Sequence, residues 1–383
     1  MKPQLPMPSE SAASASQQLV KLIQHRIRAN GGWIPFSEFM SLALYAPQLG
    51  YYSGGSAKIG TDGDFITAPT LTPLFGQALA RQAAPVLAET AGNIYEFGAG
   101  TGDLAVQLIQ ALSDGLNRYY IIEASSELAA RQQQLAAATL PPHLAAKIVH
   151  LTSLPETFNG LIIGNEVLDA MPVALVCYRH GRYQQIGVET SEHGFEQSSR
   201  PIESPALLAA AEQYLPPIEN YTSELHLQQH AFIRTLAERL ERGGMLWIDY
   251  GFDTAQYYHP QRSMGTLIGH YRHHTVHDPF FHVGLTDLTA HVNFTDIAQA
   301  GTDGGLDLIG YTTQAHFLLN LGLPELLTQC APVGSADYTR QAAAVQQLIS
   351  PHEMGELFKV MAFGKNISVD WQGFAFGDIC HKL

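Results

Sequence analysis

Residues 93–109 constrain the fold more than any other stretch. A short apolar run, Asn93-Ile94-Tyr95, leads into Glu96-Phe97-Gly98-Ala99-Gly100-Thr101-Gly102, and helix-like periodicity follows from Asp103 to Ile109. A strand that turns on glycines directly into a helix begins a parallel α/β sheet, with a ligand crevice at the carboxyl ends of its strands. Glycines at 98, 100 and 102 let the backbone take positive φ and pass close to a ligand. The helix start then offers N–H groups that have no partner within the helix. The alternative is an ordinary strand–turn–helix corner, because glycine turns also occur without a ligand.

The spacing argues against two common ligands. The dinucleotide fingerprint Gly-x-Gly-x-x-Gly needs a glycine at 103, where Asp103 stands, and a carboxylate opposes a pyrophosphate. No Gly-x-x-x-x-Gly-Lys-Ser/Thr phosphate loop occurs. A cofactor with a nucleoside, a cationic centre and no phosphate remains: S-adenosylmethionine, with Glu96 toward its cationic amino-acid end. The next apolar run, Arg118-Tyr119-Tyr120-Ile121-Ile122, ends at Glu123. A carboxylate there, slightly beyond the usual ~20 residues from the turn, is placed to accept ribose hydroxyls. The competing role for Glu123 is a helix N-terminal carboxylate favoured by the dipole.

Along the chain, residues 1–16 are rich in Ser, Ala and Pro and are expected to be disordered. Leu19, Ile23 and Ile27 give a helical stripe that Asn30-Gly31-Gly32 stops. Helices are expected at 35–46, 74–89 and 125–138, with a long loop at 47–73 carrying Ile59-Gly60-Thr61-Asp62-Gly63-Asp64-Phe65-Ile66-Thr67. Loops of that length are usually functional. Strands are expected at 93–97, 118–122, 147–151, 160–164, 245–250, 306–312 and 357–364. Val173–Tyr178 and Arg182–Val188 flank His180-Gly181 and read as a β-hairpin. Residues 189–224 read as irregular and polar around a short helix at 205–214. A helix at 225–242 is expected to end at Gly243-Gly244.

Composition narrows the function classes. A chain of 383 residues exceeds one ordinary core, so two lobes or an enlarged domain follow. The formal net charge is −14, without the basic stripe of a nucleic-acid binder. An acidic surface suits a cationic partner such as a basic peptide segment. Cys177, Cys330 and Cys380 are too few and too scattered for a disulfide framework or a zinc site. Neither a signal peptide nor a run of apolar residues long enough to span a membrane is visible. A reducing cytoplasm is the expected compartment.

Two constellations carry possible chemistry. Asn165-Glu166-Val167-Leu168-Asp169-Ala170-Met171-Pro172 follows the fourth strand, where a ligand crevice opens. Glu166 and Asp169, three apart, would share one face of a helical turn and hold a guanidinium bidentately. Alternatively Asp169 caps a helix and Glu166 makes a structural bond. The other constellation is histidine: His270, His273, His274, His277 and His282 cluster, but no metal-binding framework such as His-Glu-x-x-His is present. His291 is the candidate for a general base or a substrate-orienting group, against a core role.

Taken together, these segments resemble the MidA-like family of class I methyltransferases. The resemblance is carried by Gly50-Tyr51-Tyr52, the Gly63-Asp64-Phe65-Ile66-Thr67-Ala68-Pro69 stretch, Glu96 to Gly102, Asn165 to Pro172, Asp249-Tyr250-Gly251, Gly265-Thr266-Leu267, Asp287 to Val292, and Met354 to Lys359. It implies an α/β fold: a Rossmann-like, mostly parallel seven-stranded sheet with helices on both faces. The expected division is a disordered tail (1–16), a helical segment with a cofactor-covering loop (17–90), a first core half (91–172), a hairpin and helical insertion as substrate lid (173–224) and a second core half (225–383). Thr67, Pro69, Glu96, Gly98, Gly100, Gly102, Asp103, Glu123 and Asn165 are then the cofactor residues. Glu166, Asp169 and His291 are the catalytic ones, and no metal is called for. The eukaryotic members are mitochondrial assembly factors for respiratory complex I that act on an arginine. The implied function is methylation of an arginine in a protein with a basic segment, such as a respiratory-complex subunit, with S-adenosylhomocysteine as product. A homodimer is one expected assembly. The rivals are a small-molecule or RNA methyltransferase and a non-enzymatic assembly chaperone that retains the cofactor pocket.

Overall fold

The computed structural model describes residues 5–54, 67–123, 125–192 and 194–383. The chain divides into two compact units. One comprises Met1–Phe65, Asp169–Ala231 and Phe252–Asp296; the other comprises Ile66–Leu168, Phe232–Gly251 and Ile297–Leu383.

The second unit is built on strands β1 (Asn93–Phe97), β2 (Arg118–Ile122), β3 (Ile148–Leu151), β4 (Phe158–Asn165), β5 (Leu240–Phe252), β6 (Asp307–Thr313) and β7 (Phe358–Lys365). They run in the spatial order β3-β2-β1-β4-β5-β7-β6. Neighbours from β3 to β5 pair parallel, and β7 lies antiparallel between β5 and β6. These seven strands form the mostly parallel sheet that the resemblance implies. Strands β1 and β4 are buried almost throughout, as the interior of a parallel sheet requires. Helices α1 (Leu74–Ala88), α2 (Asp103–Ala111) and α3 (Ser126–Thr139) contribute to this unit. Ile94, Leu108, Ile163 and Ile248 are fully or almost fully buried together in its core. Each such side chain contributes about 1.5–3 kcal/mol through burial.

The first unit carries a separate antiparallel sheet. Strand Ala174–Arg179 pairs with Arg182–Ser191 across His180 (φ 53°) and Gly181 (φ 73°). Both turn residues have positive φ, the geometry a two-residue hairpin favours. Gly194–Pro201, Tyr221–Leu225 and Ile34–Pro35 complete the sheet. Helices Glu10–Ala29 and Phe36–Tyr45 share a core with it through Leu19, Ile23, Ile27, Phe39, Leu175 and Val188.

Several local expectations need correction. The stretch expected to be disordered is helical from Glu10, where the Ser9 hydroxyl accepts the Ala12 N–H at 3.3 Å. Its Ala and Ser residues extend a helix that Leu19, Ile23 and Ile27 anchor, and tertiary packing is what stabilises most helices. Residues 189–224 are not irregular: Gly194–Pro201 pairs along Arg182–Ser191, and Tyr221–Leu225 pairs with Ala174–Arg179. The helix expected at 225–242 spans Leu227–Arg239, and Gly243-Gly244 lies inside β5 rather than after a helix. A Cβ at Gly243 would sit 1.8 Å from the Gly160 carbonyl oxygen, so this glycine serves close strand approach. The histidine-rich stretch forms a small sheet of Ile268–Tyr271, His274–Val276 and Asp287–Thr289. The Ile59–Ile66 part of the long loop lies outside the described residues. No helix among the described residues is long and apolar enough to cross a membrane.

Candidate functional site

In the second unit, β1 ends in a turn whose three glycines all take positive φ: Gly98 at 64°, Gly100 at 53° and Gly102 at 94°. A Cβ at Gly98 would lie 2.7 Å from Val167 Cγ2, so a side chain there would force Val167 to shift. Gly102 caps α2 in the left-handed conformation, and its N–H donates to the Ala99 carbonyl at 2.8 Å. The Thr101 hydroxyl donates to the Asp103 carboxylate at the first turn of α2.

Glu96 lies just before this turn and is 2% exposed. The Tyr119 hydroxyl donates to its carboxylate at 2.9 Å. Burial pushes the Glu96 carboxyl up to about 8; the Tyr119 bond opposes this, and the Asp103 and Glu123 charges add to it. No positive charge is among the causes that set this value. On the neighbouring strand β4, Phe97 is level with Gly164, so Asn165 stands one residue beyond. The Asn165 amide nitrogen donates to Glu166 Oε1 at 3.2 Å. A carboxylate only accepts, so this fixes the amide orientation. The Asn165 Oδ1 is consequently a buried acceptor without a partner among the described residues. A buried carboxyl and an orphaned amide oxygen on adjacent strand ends suit an N–H-bearing cation. A sulfonium nucleoside with an amino-acid ammonium supplies one without needing phosphate ligands.

Glu123 follows β2 and accepts the Ser125 N–H on Oε1 at 2.8 Å. Thr67 precedes the short helix Ala68–Leu71, and its carbonyl accepts the Thr70 N–H at 3.0 Å. The Pro69 carbonyl accepts the Gln107 amide of α2 at 2.7 Å, while Gln107 Oε1 accepts the Gly76 N–H at 3.0 Å. One buried amide thus ties the segment bearing Pro69 to α1 and α2.

The chain after β4 departs from the expected helical turn. Glu166 adopts φ 54°, its N–H donates to the Ile248 carbonyl at 2.9 Å, and no helix follows. A left-handed conformation costs an L-residue about 1–2 kcal/mol, and such strain concentrates at functional sites. Asp249 at the end of β5 sustains it. Asp249 is 1% exposed, and its Oδ2 accepts the N–H groups of Val167 (3.1 Å) and Leu168 (2.9 Å). Nothing in the local sequence marks Asp249 for this brace, since its partners lie 82 and 81 residues away.

Asp169 and His291 belong to the other unit. The Asp169 carbonyl accepts the Ala290 N–H at 3.0 Å. The Tyr52 hydroxyl meets both oxygens of Asp287, at 3.0 and 2.9 Å, and the Tyr45 ring stacks on Tyr52 with centroids 5.5 Å apart. Burial, and then the Asp287 and Asp169 charges, hold the Tyr45 phenol above its usual range. Tyr52 and Asp287 belong to the Gly50-Tyr51-Tyr52 and Asp287–Val292 motifs, whereas no motif marks Tyr45. The His291 ring lies parallel to Phe252, with centroids 5.1 Å apart, and its backbone N–H donates to Thr266 Oγ1 at 3.0 Å. Among the described residues, no group of three or more His, Cys, Asp or Glu side chains is arranged to hold a metal.

Comparison with known proteins supplies the context for this geometry. The profile of the family described as "Putative S-adenosyl-L-methionine-dependent methyltransferase" matches residues 78–312. The protein arginine methyltransferase NDUFAF7 homolog, mitochondrial, of Drosophila melanogaster is 29% identical over 394 residues, covering 93% of this chain and 87% of that protein. The Homo sapiens protein arginine methyltransferase NDUFAF7, mitochondrial, is 23% identical, covering 92% and 85%. A COG1565 superfamily member from Burkholderia thailandensis, solved bound to S-adenosyl-homocysteine, is 45% identical with a TM-score of 0.95, covering 99% of this chain and 100% of that one.

Proposed function

The chain belongs to this family of S-adenosylmethionine-dependent methyltransferases, and from that premise we propose that it methylates an arginine side chain of a protein. The observation that carries the cofactor half of the reading is the pair of cation-seeking acceptors, Glu96 and Asn165, beside a turn of three positive-φ glycines. The arginine half is supported by the relatives named protein arginine methyltransferases, which span nearly the whole chain. S-adenosylmethionine, when bound, supplies a methyl group made electrophilic by its sulfonium. Glu96 and Asn165 receive the cofactor's ammonium end, and Glu123 accepts its ribose hydroxyls. Gly98, Gly100 and Gly102 leave room along the backbone, Asp103 opens the helix behind them, and Thr67 and Pro69 cover the cofactor.

The acceptor nitrogen needs different help. A guanidinium is a weak nucleophile while protonated, so a proton must leave it as the new N–C bond forms and the methyl–sulfur bond breaks, with S-adenosylhomocysteine as the leaving group. Glu166, held in a strained conformation beside Asn165, orients the guanidinium and takes up its charge. Asp169, three residues on, and His291 are the further groups assigned to the acceptor, His291 as the alternative proton acceptor. Rate enhancement then comes from alignment and fixed negative charge. The three cysteines are free, which suits a reducing cytoplasm.

The test is transfer of labelled methyl from S-adenosylmethionine into an extract of cells lacking this gene, with products separated by class. Label in one protein, recovered on hydrolysis as methylarginine, is the expected result. Label in RNA or in small molecules would reject the arginine assignment and keep the enzyme. Absence of label, with protein shown to bind S-adenosylhomocysteine, would favour a chaperone that uses the pocket as a folding element.

A further inference from the structure

We propose that Gln132 on α3 and His150 on β3 are positioning residues that hold the ribose-binding carboxylate and the glycine turn in register. The inference rests on the assignment of Glu123 to the ribose. Gln132 is 1% exposed, so each polar atom of its amide needs a partner. Its Nε2 donates to the Gly100 carbonyl at 3.0 Å and to Glu123 Oε2 at 3.3 Å. Both partners only accept, so the amide cannot be turned the other way. Its Oε1 therefore faces His150 Nε2, 2.8 Å away.

That orientation fixes the proton on the imidazole. An amide oxygen only accepts, so His150 Nε2 carries the hydrogen. In a neutral ring Nδ1 is then an acceptor, and Gln133 Nε2 lies 3.4 Å from it as the donor. Burial holds the His150 imidazole below its usual range, favouring the neutral form. Direction runs one way through the chain: Gln133 to His150, His150 to Gln132, and Gln132 to both Gly100 and Glu123. The Ser125 N–H takes the other oxygen of Glu123 at 2.8 Å, so the carboxylate is gripped on both sides. Gln132 also packs on the turn: a Cβ at Gly102 would be 3.2 Å from its Cγ. One side chain, 32 residues from Gly100 and 9 from Glu123, thus ties together two parts of the cofactor site.

The experiment compares S-adenosylhomocysteine with its 2′,3′-dideoxyribose counterpart by calorimetry, in the wild type and in Gln132→Met and His150→Phe. Wild type should favour the hydroxylated ligand by about tenfold to a hundredfold, the range for hydrogen bonds to a charged group. Gln132→Met should lose about tenfold affinity for S-adenosylhomocysteine and keep its turnover at saturating cofactor. Its preference between the two ligands should shrink to about threefold. His150→Phe, at a half-buried position, should move both quantities the same way by less, and it stands in if Gln132→Met fails to fold. A wild type indifferent to the hydroxyls would overturn the ribose assignment and this inference with it. A wild type that discriminates, with variants that weaken both ligands equally, would overturn the positioning role alone and leave Gln132 a packing residue.

Discussion

Glu96 shows what a single buried carboxyl dictates. Its pKa stands near 8 in the fold against 4.5 as the reference value, so between those values the folded chain holds a proton that the unfolded chain has released. Stability from this group is therefore lost as pH rises through that window, because the folded state binds more protons. A ligand ammonium beside Glu96 reverses the preference and expels the proton. Binding of S-adenosylhomocysteine near pH 7 should release a substantial fraction of one proton, read from binding heats in two buffers of different ionisation enthalpy. Glu96→Gln should abolish that release, weaken binding, and make the ligand-free protein more stable than wild type near pH 8. Binding heats that do not change with buffer would remove Glu96 from the ammonium site. Glu166 calls for the opposite signature. Glu166→Gln should lower the single-turnover rate by about a hundredfold to ten-thousandfold, the range for a lost general base, with cofactor affinity nearly unchanged. An undiminished rate would exclude Glu166 from the proton path.

At the scale of elements, the glycine turn is held between a backbone requirement and a packing requirement, and the two can be separated. Gly98 needs φ 64° and also abuts Val167 Cγ2, 2.7 Å from where a Cβ would be. Gly98→Ala should therefore cost more than the ~1–2 kcal/mol of a left-handed L-residue. Val167→Ala added to it should recover the steric excess and leave the conformational part. Denaturant titration of the two single variants and the double variant gives the coupling, and strict additivity would refute the contact. This turn was legible in the sequence because its requirement is local: glycine at alternate positions between an apolar run and a helical one. The same holds for His180-Gly181, a two-residue turn between two strand-like runs. Gln132, Gln107 and Asp249 were not legible as braces. Each is an ordinary polar residue in a helix or strand whose partners include backbone groups far along the chain, and no spacing rule encodes that. Gly194–Pro201 escaped notice for a related reason. Its side chains, Glu196-Gln197-Ser198-Ser199 among them, are half-buried or exposed, so a strand there has no apolar alternation to display. In the Glu166–Asp169 stretch, residues three apart suggest a helical turn, whereas the Asp249 carboxylate captures the N–H groups of Val167 and Leu168 instead.

For the whole molecule, the relevant quantity is a net charge of −14 distributed over 383 residues. The field of such a chain attracts a basic polypeptide over long distances and does little for a small ligand whose charges nearly cancel. The cofactor site and the acceptor should consequently respond differently to salt. Raising ionic strength from about 0.01 M to about 1 M shortens the screening length from about 30 Å to about 3 Å. Across that range kcat/KM for an arginine-bearing basic peptide should fall about tenfold or more, as steered association does. The affinity for S-adenosylhomocysteine should stay within about a factor of two if, as proposed, Glu96 and Asn165 meet the ligand at contact distance, where salt screens little. The control is a peptide with the same target arginine and neutral flanks, whose kcat/KM should be lower at low salt and nearly flat thereafter. If the basic and neutral peptides respond alike, the acidic surface serves solubility alone. Acceptor choice would then rest on the immediate surroundings of the target nitrogen.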